Sequence, residues 1–148
     1  MNDLLDNQLL MSGVIAGMAA QGTKVVIHLL TNGPRGAATR FLETGGMPSS
    51  HSAGVVALAV GAGLTHGWSS PIFAVCAVFG YIVVYDALGV RRAAGMHAAL
   101  LNELVVQLRH VMDEGFEPRR LQTLLGHSGP QVLAGILLGI SIALIVCS

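Results

Sequence analysis

Residues 45–68 read GGMPSSHSAGVVALAVGAGLTHGW. A polar loop turns there into an apolar helix. Pro48 can start that helix, having no N–H to leave orphaned. Ser49 and Ser50 can cap it. Gly45 and Gly46 let the backbone approach a ligand closely. A helix start offers free N–H groups and the positive dipole end, which suits an anion such as phosphate. His51 falls in the first turn, where an imidazole can move a proton near neutral pH. The plainer alternative is an ordinary capped helix with His51 as a polar cap residue. The run from Ser49 to Trp68 is rich in Ala, Val and Gly, and small residues allow close helix packing in lipid. Trp68 fits an interfacial anchor, with His66 beside it as an interface residue.

Composition extends this reading to the whole chain. The 148 residues are 53% hydrophobic and 11% charged, whereas soluble domains carry about 25% charged residues. The mean hydropathy is +0.66. The expectation is a single membrane-embedded domain over residues 1–148, all-α, an integral membrane helical bundle. A net charge of zero argues against bulk attraction to nucleic acid. Cys76 and Cys147 lie in apolar runs, with neither zinc-type spacing nor a disulfide framework. No basic region precedes the first apolar run, so no cleavable signal peptide is expected.

The other spans follow from hydrophobic runs. Leu9–Leu30 is 22 residues long, enough to cross a bilayer. Gln21 and Lys24 interrupt it and, three apart, share one helix face. Lys24 either snorkels to the headgroups or faces the bundle interior as a phosphate ligand. His28 reads as interfacial. Thr31–Thr44 reads as a loop with turn chemistry at Asn32-Gly33-Pro34, carrying Arg35 and Arg40. Ser69-Ser70-Pro71 is a tight turn, and Pro71–Val90 is a third span. It ends in YDALGVRR, where Asp86 at a membrane boundary beside Arg91 and Arg92 is costly unless paired or at work. A structural Asp–Arg pair is the plainer option. Ala93–Met112 recurs in Leu, Val and Met at helical spacing but carries Asn102, Glu103, Gln107, Arg109 and His110. That is an amphipathic helix lying on the bundle or the membrane surface. A charged loop, 113–120, leads to Gly126-His127-Ser128-Gly129-Pro130. The last span is Pro130–Cys147, with Gly135 and Gly139 as a close-packing face. The plan is four transmembrane helices plus one amphipathic helix.

Eight Lys and Arg residues fix an orientation. Lys24, Arg35 and Arg40 lie at or in the first connection; Arg91, Arg92, Arg109, Arg119 and Arg120 lie in the third. The positive-inside rule puts both connections in the cytoplasm (behind the plasma membrane in a bacterium) and both termini outside. Lys24, the His51 motif, Asp86 with Arg91 and Arg92, and His127 then fall at one membrane face. They come from the ends of four spans.

Two histidines, several cations and helix N-termini suit a phosphate monoester. One histidine attacks phosphorus and forms a phosphohistidine; the other protonates the leaving alcohol. Lys and Arg offset charge on the equatorial oxygens. The chemistry calls for no metal or cofactor, and a zinc reading of His51 and His127 lacks further ligands.

Three stretches resemble one family: GGMPSSHSA (45–53), YDALGVRRAAG (85–95) and LLGHSGPQVLAG (124–135). They are similar to the divergent branch of the type-2 phosphatidic acid phosphatase and vanadium haloperoxidase superfamily. Gln21-Gly22-Thr23-Lys24 resembles the family's early Gln-x-x-Lys. In the wider superfamily a Pro-Ser-Gly-His motif supplies the leaving-group acid. That implies His51, with Ser49 and Ser50 near phosphate. A later Arg-x5-His-x3-Asp motif implies His127 as nucleophile and Arg91 or Arg92 as phosphate ligand, while Lys24 would match the first-motif lysine. Gln131 stands where a carboxylate usually orients the nucleophile; it can hold an imidazole but cannot stabilise imidazolium by charge. Asp86 could substitute if it reaches His127. Arg91 and His97 have the Arg-x5-His spacing literally, but Leu101 occupies the acid position, so His127 is preferred. The resemblance implies a lipid or isoprenyl phosphate substrate held among membrane lipids. The alternative is a non-catalytic phosphate- or phospholipid-binding membrane protein. Gly-rich spans are compatible with a homo-oligomer.

Overall fold

Each helix boundary has a local cause. The computed structural model describes residues 2–42, 45–108, 119–123 and 126–148. A short α1 (Asn2–Leu5) precedes α2 (Gln8–Asn32). Asn7 caps α2, its side chain accepting from the Leu10 amide at 3.0 Å. Gly33 ends α2 with φ +76°, a conformation open to glycine. The expected loop over 31–44 contains a short helix, α3 (Ala37–Leu42). Its sequence AATRFL has no Gly or Pro to stop a turn of helix from forming after Gly36.

α4 (Ser50–His66) starts two places after Pro48, because Ser49 takes the cap. The Ser49 hydroxyl accepts from the Ser52 amide at 3.3 Å, so Pro48 precedes the cap instead of opening the helix. Ser70 caps α5 (Pro71–Leu88) with Pro71 in the first turn. Gly89 then interrupts the helix, and α6 (Val90–Leu108) follows at once, so α5 and α6 form one long bent helix. Glycine lowers the cost of such a break. The amphipathic helix therefore begins three residues before the expected Ala93. Residues 109–112 of it (Arg109 and His110 among them), residues 113–118 of the charged loop, Leu124, Leu125, Glu43 and Thr44 lie outside the described residues. α7 (Gly129–Val146) is the last helix.

Three stretches are long and apolar enough to cross a membrane: Gln8–Asn32, Pro71–Leu108 and Gly129–Val146. α4, the expected second span, has 17 residues, or ~26 Å at about 1.5 Å per residue, against a hydrocarbon core of roughly 30 Å. It is also the helix the others enclose, packing on α2, α5 and α7. The described chain has helices and no strands. It is an all-α membrane bundle of α2, α4, α5 and α7.

The packing is inside out relative to a soluble protein. The buried cluster consists of Ala16, Ala20, Ala53, Ala57 and Ala143. The largest fully buried side chains are Ser12, Ser49 and Ser52. Large apolar residues such as Val75, Leu137 and Ile145 are exposed instead. Lipid rewards burying a Leu no more than exposing it, so helices associate by close backbone approach. A Cβ placed on Gly135 would sit 2.5 Å from the Ser49 carbonyl, and one on Gly139 would run into that of Ala53. The expected close-packing face is therefore real, and its partner is α4. This register makes α7 parallel to α4. Gly13 and Gly54 face each other's carbonyls across α2 and α4, and Ser12 reaches the Ala57 carbonyl, so α2 is antiparallel to both.

Candidate active site

The parallel pairing of α4 and α7 brings two helix N-termini to the same end of the bundle. The Ser49 amide donates to the Gln131 carbonyl at 3.0 Å, tying the two starts together. His51 is the second residue of α4. His127 stands two residues before α7. Their ring centroids are 6.4 Å apart at an interplanar angle of 74°.

The chain holds His127 from both sides. Beside the bend at Gly89, the Ala87 carbonyl accepts from the His127 amide at 3.0 Å. Gly126 has φ +83°, and a Cβ there would lie 2.5 Å from the Arg92 amide nitrogen. Only glycine lets the loop press this closely on the α5–α6 junction. His127 is 6% exposed, and neither ring nitrogen has a hydrogen-bond partner among the described residues. Burial first, then the positive charges of Lys24, His51 and Arg91, hold its pKa below the ordinary value.

The other expected residues divide. Lys24 is buried on α2, and its charge acts on His127. Ser50 lines the same groove as His51. Ser49 is fully buried, its hydroxyl accepting from the amide and hydroxyl of Ser52; it builds the helix start. Asp86 forms an ion pair with Arg91, which is the plainer of the two options read from the sequence. Arg92 is exposed, with its main chain under Gly126. Gln131 does not hold the His127 ring: its side-chain oxygen accepts from the Ser128 amide at 3.0 Å. The physical reason is a capping box, Ser128-Gly-Pro-Gln131, whose third helical residue bends back to the cap. Asp86 does not reach the ring either. His97 is exposed on α6, joined to neither histidine by any described contact. His28 binds the Arg35 carbonyl at 2.9 Å, and His66 lies 2.7 Å from the Thr65 hydroxyl. Both are local partners outside the site.

Sequence reasoning missed three contributors: Gly126, the Ala87 carbonyl and the glycines that shape α2 against α4. Gly13 and Gly17, four apart, were a readable signal for a close helix approach. Among the described residues no three His, Cys, Asp or Glu side chains group as a metal site.

The sequence profile described as the Divergent PAP2 family matches residues 5–142. The chain belongs to the divergent PAP2 family. The family match encloses every residue of the histidine pair and its surroundings. A relative from Bacillus subtilis (strain 168), named an uncharacterized membrane protein YuiD, is 39% identical over 159 residues, covering 97% of this chain and 96% of the relative. No solved structure matches. This divergent PAP2 protein is thus a membrane protein in which two histidines meet where two helices begin.

Proposed function

We propose that the protein is a membrane phosphatase hydrolysing a lipid or isoprenoid phosphate monoester without a metal, at the cytoplasmic face. The observation that carries this reading is the His51–His127 pair, close enough for both rings to reach one phosphoryl group. A ring nitrogen of His127 attacks phosphorus. The bond to the leaving alkoxide oxygen breaks, and a proton from His51 goes to that oxygen. Water then attacks the phosphohistidine while His51 takes its proton. Inorganic phosphate leaves, and His127 is regenerated. Lys24 and the Arg91 guanidinium offset charge on the equatorial oxygens, and the starts of α4 and α7 add their dipoles. The count of Lys and Arg in the first and third connections supports the cytoplasmic side.

A second reading has its own observation. Gln131 caps α7, and no carboxylate orients His127 among the described residues. A site that binds phosphate without turning it over fits that geometry. The deciding experiment is phosphate release by purified protein in detergent, from a panel of lipid and isoprenyl monophosphates without added metal. Release is expected from wild type. His127→Ala should abolish it, and His51→Ala should lower it by about 10²–10⁴-fold, the usual worth of a general acid. Binding of lipid phosphate by folded wild type with no release from any substrate would establish the second reading instead.

A further inference from the structure

Between α2 and α4 runs an open groove of about 570 Å3. Its walls are apolar for most of their length: Gly13, Val14, Gly17 and Met18 from α2, Gly54 and Val55 from α4. The other end is lined by the polar Gln21, Ser50 and His51 together with Phe41 of α3. The Gln21 side-chain oxygen is buried there without a hydrogen-bond partner among the described residues. From Gly13 to Gln21 the groove follows α2 for ~12 Å at about 1.5 Å per residue. It therefore runs from the level of the histidines into the apolar part of the helix. Val14 and Met18 are exposed on its rim, so it opens sideways to whatever surrounds the bundle, which in a membrane is lipid.

We propose that this groove holds one hydrocarbon chain of a phosphorylated lipid, which enters sideways from the bilayer and presents its phosphate end to His51. The site choice rests on the phosphatase reading, but the groove stands on its own geometry. The volume falls within the roughly 300–1,000 Å3 of ligand pockets. The polarity matches end to end: apolar walls for the chain, then Gln21, Ser50 and His51 for the phosphate end. Three glycines set the spacing of the walls. The crossing of α2 and α4 is tight at Gly13 and Gly54, where a Cβ on Gly54 would lie 3.3 Å from the Gly13 carbonyl. At Gly17 the nearest atom to an added Cβ is the Ser50 carbonyl oxygen at 3.9 Å, so Gly17 borders open groove.

Gly17→Leu is therefore the informative change, with Val14→Phe as a second variant from the exposed rim. The probe is an isoprenyl phosphate carrying a diazirine in its chain, cross-linked to protein in lipid vesicles and mapped by mass spectrometry. The expected label falls on Val14, Met18 or Val55. It should drop about tenfold in either variant, since two methylenes kept from apolar burial already amount to that factor. Phosphate release from a long-chain substrate should fall likewise, while release from a short-chain phosphate stays unchanged. Label outside the groove, or label unchanged in both variants, overturns the proposal. The two readings fail separately. Groove label without phosphate release removes the phosphatase and leaves the groove. Release that ignores chain length and both variants removes the groove and leaves the phosphatase.

Discussion

His127 shows how one side chain sets a pH dependence. It lies outside the helices, at the foot of α7, and is 6% exposed. Burial disfavours the imidazolium, and Lys24, His51 and Arg91 beside it add to the effect, so the folded-state pKa lies below the unfolded value of about 6.5. At neutral pH the ring is uncharged and keeps the lone pair that the proposed attack on phosphorus requires. As pH falls, the unfolded chain takes up this proton first. The associated stability is fully present above about 6.5 and is lost as pH falls through the folded pKa. The profile of kcat/KM against pH should therefore show an acid limb with its midpoint below about 6.5. A midpoint at or above that value would mean that another group, not a buried neutral His127, is titrating. This residue was legible in the sequence because a histidine just before an apolar run is conspicuous. Gln131 was legible too, but its role was not. Its distance from His127 fits an orienting partner and its distance from Ser128 fits a capping box. Three residues on the same turn are the shorter reach, and the cap took the side chain.

At the scale of elements, α4 against α7 is the contact on which the histidine pair depends. Both helices begin at the site, so a change in their register moves His51 relative to His127. The packing leaves no space at Gly139, where an added Cβ would meet the main chain of Ala53 and Ala57. Main chain cannot rotate away as a flexible side chain can. Gly139→Leu should therefore destabilise the fold by about 1–3 kcal/mol or more through overpacking, read as a lower midpoint of unfolding in detergent. Gly22 is the control: an added Cβ there meets nothing within 4 Å. Gly22→Ala should hold or raise the midpoint, by about 0.5–1 kcal/mol for a helix-interior glycine. A midpoint held or raised in both variants would show that helix propensity, not the α4–α7 approach, sets stability. The sequence pointed to Gly135 and Gly139 by their spacing, but spacing alone does not name a partner helix. The bend at Gly89 was also out of reach, since an apolar run that becomes amphipathic reads equally well as two separate helices.

Across the whole molecule, the convergence of four helix ends was legible because charge and hydropathy alternate along the chain. Lys24, His51, Arg91 and His127 each stand where an apolar run meets a polar one, and the alternating course of the helices puts all four at one end. The groove was not legible, because Gly13, Gly17 and Gly54 define a space only once α2 and α4 are placed side by side. The same end carries the cationic connections, and that links fold to physiology. A site on the cytoplasmic side meets newly made lipid phosphates, whereas one on the outer side meets recycled carriers. The geometry offers a direct test. Thr39 on α3 is exposed at the histidine end, and Ser69 is exposed in the turn at the opposite end. Free thiols occur at Cys76 and Cys147, so the background carries Cys76→Ala and Cys147→Ala. In that background Thr39→Cys should resist a membrane-impermeant maleimide in intact cells and react once the membrane is permeabilised. Ser69→Cys should react in intact cells. The opposite pattern would place the histidines outside and turn the expected substrates from precursors to recycled carriers, with the chemistry of the pair unchanged.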